Sequence, residues 1–79
     1  MESLEDFARL KQSCLEDGLL APAFGDNLRI TKKGQKLVKL MAVADEEVAL
    51  ALEEALREPW LDRRAALVSV LLFARMRSS

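Results

Sequence analysis

The sequence predicts a mainly α fold of about four helices, with a small β-hairpin between the first and the second. Three observations predict it. Apolar residues recur at helical spacing in four windows, and a residue suited to helix capping precedes each window. A stretch holding Pro22, Gly25, Asp26 and Asn27 interrupts that spacing between the first two windows and favours a turn. The composition is 51% hydrophobic but only 5% aromatic. That Leu/Val/Ala profile suits helices, and its apolar content is too high for a disordered chain. Seventy-nine residues make a single domain, residues 1–79. A chain this short is marginal without good packing or a partner. Phe7, Phe24, Trp60 and Phe73 are its large core candidates.

Ser3 is placed to cap helix 1, with Glu5 and Asp6 in the first turn, where the helix dipole favours negative charge. Leu4, Phe7, Ala8, Cys14 and Leu15 share one face, with Leu10 at its margin. Glu2, Glu5, Arg9, Gln12 and Glu16 take the outer face, and Gly18 is a natural stop. Leu19–Phe24 and Leu28–Ile30 read as hairpin arms around a Gly25-Asp26-Asn27 turn, residue types that tolerate positive φ. Pro22 restricts the first arm to an edge. A loop followed by one short strand is the alternative.

Thr31 caps helix 2, about residues 32–44. Its apolar face is Leu37, Leu40, Met41 and Ala44, with Lys32, Lys33, Lys36 and Lys39 on the other side. Gly34 costs about 1 kcal/mol relative to Ala in a helix, which points to close backbone packing there. Asp45 caps helix 3, about residues 46–57, with Glu46 and Glu47 in its first turn. Its buried stripe is Val48, Ala51, Leu52, Ala55 and Leu56. Leu50 falls on the opposite face among Glu46, Glu53, Glu54 and Arg57, a candidate interface. Glu58-Pro59 ends this helix and Asp62 caps helix 4, about residues 63–76. Helix 4 is apolar nearly all round, so either it is the central helix or a second copy covers it, making a homodimer through residues 63–76.

Charge comes in blocks: residues 1–26 carry a net −4, residues 27–44 carry +5, residues 45–62 carry −6 and residues 63–79 carry +4. The +5 block holds Arg29, Lys32, Lys33, Lys36 and Lys39 and no acid, in a chain whose net charge is −1. Such blocks either attract neighbouring elements on folding or address separate partners. The chain has one cysteine and no histidine. An internal disulfide is therefore excluded, and the usual zinc or haem ligands and the usual acid–base catalyst are missing. The glycines form neither a phosphate loop nor a dinucleotide fingerprint. Glu46/Glu47 and Glu53/Glu54 lie on a solvated helix rather than in a pocket. Cys14 has no histidine partner, and Glu16 and Asp17 nearby would raise its thiol pKa. The expectation is a protein that is not an enzyme and needs no cofactor or metal. The longest apolar run, Ala65 to Ala74, is about ten residues against the roughly twenty of a membrane span. The start is acidic, unlike a signal peptide, so a cytoplasmic protein without a membrane segment is expected.

Leu4…Phe7…Leu10…Leu15 followed by Asp17-Gly18-Leu19-Leu20, the Gly25-Asp26-Asn27 turn and Leu28-Arg29-Ile30-Thr31-Lys32-Lys33-Gly34 together resemble part of a winged-helix domain, over residues 4–41. The resemblance implies a recognition helix ending in Gly-Leu, a wing, and a following helix that opens Thr-x-x-Gly. In that family two further helices precede the recognition helix; in this chain the later helices would have to take their place. The resemblance also implies DNA binding, with Arg29, Lys32 and Lys33 as phosphate contacts. The face it would send into the groove carries Glu2, Glu5, Asp6 and Glu16 against Arg9, and phosphate repels such a face. No aromatic residues interleave the lysines for base stacking. The expected function is therefore a protein–protein interaction module, a small adaptor or inhibitor, serving transcription or other nucleic-acid machinery. The alternative is a diverged winged-helix DNA-binding regulator that uses the Arg29/Lys32/Lys33/Lys36/Lys39 face.

Overall fold

The computed structural model describes residues 4–57 and 63–78. Its elements run α1 (Leu4–Glu16), β1 (Leu20–Pro22), β2 (Leu28–Ile30), α2 (Lys32–Ala44), α3 (Glu46–Arg57) and α4 (Arg63–Ser78). The fold is mainly helical with a two-stranded hairpin between α1 and α2, as the sequence predicts. The order helix, hairpin, helix is compatible with a winged-helix-like topology. The Ser3 cap, the Glu58-Pro59 stop, the Asp62 cap, Trp60, Glu2 and the side chains of Leu4 and Glu5 lie outside the described residues.

α1 closes with Gly18 at φ +74°, a conformation that costs glycine little. The Leu19 N–H donates to the Cys14 carbonyl (2.9 Å) and the Gly18 N–H to the Leu15 carbonyl (3.1 Å). These two bonds are the Schellman closure of a helix, and they turn Leu19 back over Cys14 in the core. Because Leu19 is used in this closure, the first hairpin arm is Leu20–Pro22 rather than Leu19–Phe24. The strands are antiparallel, with Leu20 opposite Ile30 and Pro22 opposite Leu28. At the tip only Gly25 takes positive φ (+69°); Asp26 and Asn27 do not. The Asn27 side-chain amide instead donates to the Phe24 carbonyl at 3.0 Å.

α2 and α3 have the predicted bounds and caps. The Thr31 hydroxyl accepts from the Gly34 N–H at 3.0 Å, and the Asp45 carboxylate accepts from the Glu47 N–H at 3.0 Å. The buried cluster joins Cys14, Leu19, Leu20, Ile30, Val38 and Val48 to Val70, Leu71, Leu72 and Ala74 of α4. α4 packs against α1, α2, α3 and β2, so it is the central helix. The single chain thus covers most of its apolar surface, and that surface does not by itself require a second copy. Leu71, Val38 and Val48 are each at most 1% exposed, and burying a side chain of this kind stabilises by about 1.5–3 kcal/mol.

Several expected core residues are at the surface. Phe7 is 40% exposed and Ala8 is exposed; among the described residues α1 packs on the core by Leu10, Cys14 and Leu15. Phe24 is 94% exposed, at the bend of the hairpin and beyond the reach of the helices. On α2 the buried residues are Gly34 and Val38, whereas Leu40 and Ala44, expected to face inward, are exposed. Gly34 is the cause. A Cβ at this position would stand 2.3 Å from the Leu19 carbonyl oxygen and 2.8 Å from Ile30. The side without a Cβ is therefore the side that docks, and the helix is turned accordingly. Leu56 of α3 is exposed as well, beyond the stripe of Val48, Ala51, Leu52 and Ala55 that packs on the core.

Candidate docking groove

The rotation of α2 places apolar and basic residues together on its outward side. Leu37, Leu40 and Ala44 lie along one outward strip at helical spacing, and Lys33 and Lys36 stand beside it. Leu37 remains half-buried, while Leu40 is 67% and Val43 is 90% exposed.

Next to this strip is an open groove of about 380 Å³ between α2, the turn after α1 and the end of α4. Leu19, Leu37 and Leu40 supply its apolar surface, and Lys33, Lys36, Arg75 and Asp17 its charges. The Arg75 guanidinium donates to the Asp17 carboxylate at 3.1 Å and to the Ser13 hydroxyl at 3.3 Å. The Lys33 ammonium donates to the Asp17 backbone carbonyl at 2.8 Å, a favourable place for a cation at a helix C-terminus. Asp17 is thus answered by Arg75. Among the described residues Lys33 and Lys36 form no ion pair. The groove therefore offers an apolar surface under an excess of positive charge.

Of the five expected basic-face residues, the groove gathers only Lys33 and Lys36. Arg29 lies exposed on β2, opposite Ala21, and Lys32 and Lys39 are exposed on α2 one turn to either side of Lys36, outside the groove lining. Sequence reasoning missed Asp17, Leu19, Leu37, Leu40 and Arg75 as lining residues. The lysine spacing gave no sign of Arg75, which is brought in from the opposite end of the chain. On α3 the candidate interface residues Glu46, Leu50, Glu53, Glu54 and Arg57 are all exposed, Leu50 at 49%. Arg57 is paired with Glu53 at 3.1 Å, one turn away.

Cys14 is fully buried. Burial is what chiefly pushes its thiol pKa up. Arg75 opposes that rise and Asp17 adds slightly to it, so the main cause is desolvation rather than the nearby acids. Among the described residues no group of three or more His, Cys, Asp or Glu side chains is placed to hold a metal ion. None of the described helices is long and apolar enough to cross a membrane.

Comparison of the chain with protein-family models, with curated proteins and with solved structures finds no match.

Proposed function

We propose that this protein is a non-enzymatic protein-binding module, an adaptor or inhibitor, that seats an acidic segment of a partner protein in the groove beside α2. The observation that carries this reading is the coincidence of Leu19, Leu37 and Leu40 with Lys33 and Lys36 in one open groove. Apolar contact supplies most of the affinity in such an interface, and the lysines steer and orient an acidic partner. Partners that belong to nucleic-acid machinery fit the winged-helix-like order of helix, hairpin and helix.

A second reading is a diverged winged-helix regulator that binds duplex DNA. Exposed Arg29, Lys32 and Lys39, outside the groove, support it. Against it stand Asp6 and Glu16, which share the exposed face of α1 with Arg9.

Affinity purification from the native host, with and without nuclease, separates the two. The protein-binding reading expects a defined protein that survives nuclease and is lost with Lys33→Glu/Lys36→Glu. Sequence-specific duplex binding that falls steeply with salt, and vanishes in Lys32→Glu/Lys36→Glu/Lys39→Glu, would overturn it in favour of the second reading.

A further inference from the structure

The outward face of α3 has the complementary pattern to the groove. In α2, Lys33 and Lys36 stand within two turns of exposed Leu40. In α3, Glu46, Glu53 and Glu54 surround exposed Leu50 at one-turn spacing. One surface is a cationic rim with an apolar recess; the other is an apolar side chain among three carboxylates, of which Glu53 is shared with Arg57 at 3.1 Å while Glu46 and Glu54 make no ion pair among the described residues. No α3 residue lines the groove, so a chain does not fill its own recess with this face.

We propose that a second copy of this chain occupies the groove, its α3 placing Leu50 against Leu37 and Leu40 and its carboxylates against Lys33 and Lys36. This rests on the reading of the groove as a seat for an acidic segment, and it names the segment. Each copy offers a groove at one place and an acidic face at another, and the proposed contact is the heterologous one, in which the groove of one copy takes the acidic face of the next. Assembly therefore proceeds head to tail. Leu50 is the anchor, and the surrounding charges set orientation and salt dependence.

Sedimentation velocity of the intact chain over a range of concentrations tests this, with circular dichroism confirming that each variant is folded. The average mass of the wild type is expected to rise with concentration. The rise should weaken from 0.1 M to 1 M salt, as the screening length shrinks from about 10 Å to about 3 Å. Lys33→Glu/Lys36→Glu alone and Glu53→Lys/Glu54→Lys alone should each stay monomeric, because like charges then meet wherever residues 33 and 36 face residues 53 and 54. Mixing Lys33→Glu/Lys36→Glu with wild type supplies acceptor grooves from the wild type only, and should give short assemblies capped by the variant. Leu50→Ala should weaken association without reversing its salt dependence. A wild type that stays monomeric at every concentration overturns the proposal, and so does association that persists equally in both charge-reversed variants.

A parallel titration uses a synthetic amphipathic Glu/Leu helical peptide, followed by amide chemical shifts of α2. If the wild type is monomeric yet this peptide shifts the Lys36 region, and Lys33→Glu/Lys36→Glu abolishes the effect, the second-copy assignment fails while the acidic-partner reading stands. If neither self-association nor peptide binding is seen, both fail.

Discussion

The two ends of α2 are fastened by different physics. At its N-terminus, Thr31 and Gly34 hold α2 to the turn after α1. The Thr31 hydroxyl accepts from Gly34 and lies 2.6 Å from the Gly18 carbonyl as donor, while the Thr31 N–H donates to Leu19 at 3.0 Å. The hydrogen bonds that Thr31 makes here are all between neutral groups, the Lys33 ammonium on the Asp17 carbonyl being the one charged contact, and the fit depends on a missing Cβ. At its C-terminus, Asp45 serves three helices. Its N–H closes α2 on Met41 (2.8 Å), and one carboxylate oxygen caps α3. The other accepts from Arg77 of α4 at 2.6 Å. The first joint is made of shape and neutral hydrogen bonds, the second of charge. The difference teaches that one helix can be insensitive to solution conditions at one end and responsive to them at the other.

Gly34→Ala tests the shape-dependent joint most severely. In an ordinary helix the change is favourable by about 1 kcal/mol. Here the new methyl meets a backbone carbonyl, so a net loss of about 2 kcal/mol is expected, as for an overpacked core. Chemical denaturation measures it, and a gain in stability would show that the joint is looser than described. Thr31→Ala should cost about 1–2 kcal/mol, since it removes a cap and a cross-link together. Thr31→Ser, which retains the hydroxyl, should recover most of that loss.

The charged joint calls for a pH measurement. Hydrogen bonding from Arg77 is the first cause that holds the Asp45 carboxyl below its ordinary value, and the Glu47 N–H acts in the same direction. A depressed folded pKa contributes stability that is present above the unfolded value, about 3.9, and is lost as pH falls through the folded value. Asp45→Asn keeps a capping oxygen but removes the charge. The wild type should therefore melt above Asp45→Asn at pH 7, and the gap should close below about pH 4. A gap that stays constant across that range would mean the Arg77 pair contributes nothing. Thr31→Ala, by contrast, should lower the melting temperature by a similar amount at both pH values. Lys33→Met has the smallest expected effect on folding, about 0.5 kcal/mol or less, because an exposed lysine at a helix end adds little.

Both joints were legible in the sequence as caps, because Thr31 and Asp45 each stand immediately before an amphipathic window and capping is a local property. The bounds of α2 and α3 follow from the same local signals. The rotation of α2 was not legible. From Leu37 to Ala44 only Lys39 interrupts the apolar residues, so periodicity cannot select between a face centred on Val38 and one centred on Leu40. The selection is made by Gly34 against Leu19, a contact between segments separated in sequence. The groove was half legible for the same reason. Lys33 and Lys36 are adjacent turns of one helix, but Leu19 and Arg75 reach them only through tertiary packing. Phe7 and Phe24 misled because size suggests burial, whereas Phe7 is 40% exposed under the Lys11 ammonium and Phe24 is 94% exposed at the bend of the hairpin.

Cys14 is the only cysteine in the chain and is fully buried where α1 meets the hairpin and α4. This gives the molecule a built-in clock. A thiol reagent cannot reach the sulfur until α1 lifts from its seat, so the labelling rate under native conditions reads how often this helix opens. Comparing that rate with global unfolding would show whether α1 detaches as an independent unit. No reporter group has to be engineered into the chain.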